Sequence, residues 1–134
     1  MKSFRQAVET RDLEAIEALL SDDVVFRSPV VFKPYPGKAI TQAILRAVIE
    51  VFEDFRYVRE LRDGEEHLLV FEAKVGELGL TGIDLLTYDE DGRIKDFMVM
   101  VRPLNGAQAL AEAMKARFPE IQANAMAWAA KNSG

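Results

Sequence analysis

The sequence predicts an α+β fold, and three observations carry the prediction. Apolar residues recur at helical spacing in the first fifty residues and again after residue 103. Between them the period changes to two over four consecutive segments. Short turn signals separate those segments, as in a meander of antiparallel hairpins. Helices gathered against one face of such a sheet define the class.

The elements follow in order. Phe4, Ala7, Val8 and Arg11 sit at helical spacing and predict a short first helix with a modest apolar face. Asp12 reads as the N-cap of a second helix, because its carboxylate can accept from the free N–H groups of the next turn. Leu13, Ile16, Leu19 and Leu20 stripe that helix, and Ser21 to Asp23 end it. Val24, Val25 and Phe26 begin a strand that stops at Pro29. Pro34, Pro36 and Gly37 mark a loop. From Lys38 to Phe52, the positions Ile40, Ile44, Val48, Val51 and Phe52 predict the longest helix so far.

Arg56 to Leu61, His67 to Val75, Leu80 to Tyr88 and Ile94 to Arg102 read as strands. Asp63-Gly64, the stretch from Gly76 to Gly79, and Asp91-Gly92 are the turns between them. Asn105 and Gln108 suggest a capping pair. Leu110, Met114 and Phe118 then stripe a helix, and Pro119 is expected to open a last one carrying Ile121, Ala125 and Trp128. The whole chain reads as one domain, with residues 104–134 as a C-terminal helical extension.

With 134 residues, 49% of them hydrophobic and 29% charged, the chain can bury a core. A net charge of −5 without any run of basic residues argues against nucleic acid as a partner. There is no cysteine, and His67 is the one histidine. Disulfides, a thiolate nucleophile and a histidine-rich or thiolate metal site are therefore excluded, and no cofactor is called for. The glycines at 76, 79 and 82 lie between strands, which is not the strand-to-helix context of a dinucleotide loop. The acidic stretches Asp22-Asp23 and Asp89-Glu90-Asp91 lack the ligand spacing of a calcium loop. The N-terminal residues mix charge with apolar positions, unlike a signal peptide, and no stretch is long enough to span a membrane. The expected location is the cytoplasm.

The segments DLEAIEALLSDDVVFRSP, PYPGKAI and GIDLLTYDEDGRIKDFMVMVRP resemble the nuclear transport factor 2-like superfamily. Within it they are most similar to the SnoaL-like polyketide cyclases and the ketosteroid isomerase-like proteins. The resemblance spans about residues 4–103. It implies a cystatin-like cone, in which a curled antiparallel sheet wraps round a long helix and encloses a pocket. It also implies a homodimer through the outer sheet face, and a small hydrophobic ligand or substrate. The scaffold carries enzymes and binders alike, so the site must be argued from its residues.

In the isomerases a carboxylate base precedes the proline that ends the first strand; here that position is Ser28. Their first-helix tyrosine corresponds to Phe4. Their protonated acid, a worked example among tuned carboxyl groups, corresponds to Asp84. The Asp-Arg-Asp set of the related epoxide hydrolases has Gly82 in place of its arginine. Of the isomerase groups only the acid at Asp84 is kept, so standard ketosteroid isomerisation is not expected.

Asp84 also stands out without the family. It lies in a strand whose two faces are both largely apolar, so its carboxyl must be paired, hydrogen-bonded or protonated. A general acid/base and a structural acid both fit. Leu86 shares its face. His67, Phe71 and their alternation mates face either the pocket or, in the case of His67, an exposed hairpin end. Phe97, Val99 and Val101 share one face of the last strand and, by the family geometry, line the pocket. Met98 and Met100 take the other face, towards a partner subunit or under the C-terminal helices. Tyr35, between two prolines, is placed at the pocket mouth, where its hydroxyl could donate to a ligand. The sequence leaves open an isomerase, cyclase or hydratase-like enzyme using Asp84, a non-catalytic binder of a hydrophobic ligand, and an accessory dimerisation domain.

Overall fold

In a computed structural model, residues 2–133 are described. Helix α1 (Phe4–Glu9) starts at Ser3, whose hydroxyl accepts from the Gln6 N–H while the Gln6 side chain accepts from the Ser3 N–H. Helix α2 (Leu13–Ala18) is capped by Asp12, which accepts from the Ala15 N–H at 3.1 Å. Strand β1 spans Leu20–Arg27. The expected helix end at Ser21–Asp23 is instead the start of this strand, because Leu20 already pairs with Ile94 across the sheet. A two-residue strand β2 (Tyr35–Pro36) leads into α3 (Lys38–Val51).

Strands β3 (Glu53–Asp63), β4 (Glu66–Val75), β5 (Leu78–Tyr88) and β6 (Ile94–Arg102) form the predicted antiparallel meander. β1 joins its edge by pairing parallel with β6, giving the order β2-β1-β6-β5-β4-β3. The six-stranded sheet is curled and not closed. Its concave face holds α3 and the core, centred on Phe71, Phe97, Leu69, Leu86 and Ile94. β4 and β5 alternate buried and half-buried positions along most of their length, as period-two packing requires.

Helix α4 runs unbroken from Leu104 to Asn132. This corrects the expectation of two C-terminal helices divided at Pro119. Proline removes one backbone N–H and costs helix stability, but Lys115 and Pro119 are both exposed, so the carbonyl it frees can turn to water. Leu110, Met114, Phe118, Ile121 and Ala125, on one face, hold both halves against the core. Nor do Asn105 and Gln108 cap it: the N-cap is Pro103, without a side-chain bond. Gln42 to Asn124 at 2.9 Å and Arg117 to Glu50 at 2.7 Å tie α4 to α3. Trp128 donates to Glu17 and fixes its far end to α2. None of the described helices is long and apolar enough to cross a membrane.

Candidate functional site

Between the concave face of the sheet, α3 and α4 lies a cavity of about 460 Å³. This is inside the range of small-molecule sites, about 300–1,000 Å³. α3 supplies Ile44, Leu45, Val48, Ile49 and Phe52; α4 supplies Leu110, Met114, Phe118 and Ile121. An aromatic cluster forms another wall. Phe55 lies 5.7 Å from Phe52, 5.0 Å from Phe71 and 4.9 Å from Tyr57, centroid to centroid.

The polar groups of this wall are few. Asp84, on β5, is buried, and the Tyr57 hydroxyl of β3 donates to its Oδ2 at 3.0 Å. Burial pushes the Asp84 carboxyl up from 3.8 to about 7, although the Tyr57 bond favours the ionised form. Burial and the neighbouring carboxyl likewise raise the Tyr57 hydroxyl well above its usual value, so it remains a donor. Asp84 is therefore poised between its two protonation states at neutral pH. Such a group can give or take a proton with little driving force wasted.

Phe71, Phe97, Val99 and Tyr35 line the cavity with Asp84. Tyr35 leans on Phe118 at 6.4 Å. His67, Leu86 and Val101 do not line it, contrary to the expectation from alternation. Alternation assigns the correct face, but the cavity occupies only part of that face. Leu86 is fully buried next to Phe97, and Val101 packs against the core where the chain turns into α4. His67 is neither at the cavity nor at an exposed hairpin end: it is buried, with Nδ1 2.7 Å from the Tyr88 hydroxyl and Nε2 2.6 Å from Glu60. The His67 bond, with help from Arg5, holds the Glu60 carboxyl below its usual range.

Glu60 reaches His67 because β3 shifts register between Tyr57 and Arg59. That bulge turns Glu60 and Arg62 to the side on which Phe55 and Tyr57 already lie. Nothing in the residues next to Tyr57 marks it as a partner for a buried acid. The alternation of Phe55 and Tyr57 was the available signal for its face; its meeting with Asp84 across β4 was not readable locally.

Ser28 and Phe4 both line the cavity. The Ser28 hydroxyl accepts from the Val30 N–H at 3.1 Å, and Phe4 packs edge-on against Phe97 at 5.4 Å. Gly82 is explained by packing: a Cβ there would run into the Phe71 ring, which covers its cross-strand partner. Among the described residues, no three His, Cys, Asp or Glu side chains converge as a metal-binding set.

The sequence profile of the SnoaL-like domain matches residues 1–97, which is most of the chain. The chain belongs to the SnoaL-like family. A steroid delta-isomerase from Pseudomonas aeruginosa is 49% identical, covers 87% of each chain and superposes with a TM-score of 0.82. A cystatin-like-fold protein from Silicibacter pomeroyi is 41% identical over 85% of this chain and 81% of its own, with a TM-score of 0.81. A nuclear transport factor 2-like protein from Mesorhizobium loti is 16% identical over 75% and 85%, with a TM-score of 0.67, and shares the fold. Among curated proteins none matches. The matched SnoaL-like region ends inside β6, so α4, which closes the cavity, lies outside it.

Proposed function

We propose that this SnoaL-like protein is an isomerase- or cyclase-type enzyme acting on a small apolar carbonyl compound, with Asp84 as general acid/base. The observation that carries the reading is a buried carboxyl, with a pKa of about 7, on the wall of a largely apolar cavity. In its neutral form Asp84 donates to the substrate carbonyl, which raises the acidity of the adjacent C–H. When that proton transfer leaves Asp84 ionised, the Tyr57 hydroxyl already points at the carboxylate and stabilises it. The carboxylate then removes the proton from the acidified α-carbon, leaving an enol and neutral Asp84; in the reverse sense Asp84 protonates carbon and takes back the enol hydroxyl proton, which returns the carbonyl compound with its proton moved or exchanged.

The relative named a steroid delta-isomerase favours carbonyl isomerisation as the class of reaction. Ser28 and Phe4 argue against the steroid route that uses a carboxylate base and a tyrosine donor, since neither can supply those groups. No meaningful turnover of a 5-ene-3-ketosteroid is expected by ultraviolet absorbance. The direct test uses 2-tetralone in D2O, followed by proton NMR. The wild type is expected to speed deuterium entry beside the carbonyl, and Asp84→Asn to lose at least a hundredfold of that rate. Equal rates in the two proteins refute the assignment.

A non-catalytic binder is the second reading, favoured by the lack of any other carboxyl among the cavity-lining residues. It predicts ligand binding with no exchange in either protein. We place the protein in the cytoplasm and pair it with a second copy through the outer sheet face. There Ile83, Leu85 and Met98 are half-buried and Met100 is exposed, while α4 lies on the opposite, concave side.

A further inference from the structure

The cavity wall carries charged groups of both signs, one buried and two exposed. Three charged side chains line it: Arg11, Asp84 and Lys115. Asp84 is buried, whereas Arg11 and Lys115 are exposed, so each of the two cations lies where the cavity wall meets water. Arg11 comes from the α1–α2 corner and Lys115 from α4. Neither forms an ion pair among the described residues, although the chain carries more acidic than basic side chains, 22 against 17.

The backbone at Arg11 supplies an independent observation. Helix α1 ends in a Schellman turn: the Arg11 N–H donates to the Val8 carbonyl at 3.0 Å and the Asp12 N–H to the Ala7 carbonyl at 2.8 Å. The residue at this point of the turn must adopt a left-handed conformation, and Arg11 has φ of 52°. Glycine is the residue that takes this conformation without steric strain. A cation near a helix C-terminus is favourable in itself, yet one turn earlier it would have that benefit without the strain. What arginine adds here, and glycine cannot, is a guanidinium beside the mouth of the cavity.

We propose that the cavity takes an amphipathic ligand, with an apolar body in the interior and a carboxylate held at the mouth by Arg11 and Lys115. The proposal rests on the cavity being the ligand site and adds the chemistry of the ligand's outer end. A guanidinium offers a planar fork that matches a carboxylate, and the lysine ammonium adds a second positive charge. Asp84 and Tyr57 remain free to meet a neutral polar group.

The test compares octanoate with octan-1-ol by isothermal titration calorimetry at pH 6, where the free carboxylate is ionised and Asp84 mostly protonated. Wild type is expected to bind octanoate roughly five- to tenfold more tightly than the alcohol, as suits two partly exposed charge contacts. The preference is expected to shrink as salt is raised. In the double variant Arg11→Gly, Lys115→Gln the ratio falls to about one, and Arg11→Gly alone melts no lower than wild type. Equal affinities in wild type, or a ratio insensitive to salt, overturn the anionic end while leaving the cavity as a ligand site. If neither probe binds, the cavity reading falls as well.

Discussion

Replacing Asp84 with asparagine isolates one carboxyl in the stability of the whole fold. The substitution keeps the side-chain shape, and its amide oxygen can still accept from the Tyr57 hydroxyl. In the unfolded chain an aspartate ionises near 3.8, whereas in the fold burial delays ionisation to about 7. Between those values the unfolded state releases its proton first, so rising pH favours unfolding. The stabilisation is complete below the unfolded value and is lost as pH rises through the folded one. Each pH unit in that interval is worth about 1.4 kcal/mol, so wild type loses roughly 4 kcal/mol relative to the asparagine variant by about pH 7. That is a large share of the 5–15 kcal/mol typical of a domain. Urea unfolding followed by far-ultraviolet circular dichroism, at half-unit steps from pH 4 to 8, measures the difference directly. The difference curve should fall across that window and flatten above it. Parallel curves for the two proteins would show that Asp84 is not a desolvated, protonated acid, and a difference that grows on acidification would show a carboxylate held in an ion pair.

Other substitutions probe the surroundings of that group. Gly82→Ala forces a methyl into the Phe71 ring and should cost about 1–3 kcal/mol in urea unfolding, with the ring displaced towards the cavity. His67→Ala leaves the Tyr88 hydroxyl without its buried partner. A loss of about 2–4 kcal/mol with no change in cavity ligand binding is expected from chemical unfolding and calorimetry, because His67 does not line the cavity. Met100→Lys should weaken self-association roughly tenfold or more by light scattering at micromolar concentration, since it would bury an unpaired charge between copies. A monomeric wild type under the same conditions removes the dimer from the account.

Period and punctuation in the sequence determined the α+β class, the long α3, the four-stranded meander and the cap at Asp12, because these depend on neighbours within a few residues. Asp84 was legible as an oddity for the same reason: an acid in an apolar strand contradicts its local pattern. The resemblance carried by residues 4–103 supplied the curled sheet, which local patterns do not encode.

What lay beyond local pattern was decided by contacts between distant parts of the chain. Leu20 entered β1 because Ile94 was waiting across the sheet. Pro119 failed to break α4 because residues on both sides of it shared one packed face. The extent of the cavity along the inner face excluded His67, Leu86 and Val101, which alternation alone could not separate from Phe71 and Phe97. A one-residue bulge in β3 delivered Glu60 to His67. Tyr57 and Asp84 are 27 positions apart, and a hydrogen bond over that separation exists only when two strands are set in register against a third. The sequence determined which groups were available and which faces they took. The tertiary structure decided which of them met, because sheet register, curvature and the docking of α4 depend on packing over the whole chain and not on any one segment of it.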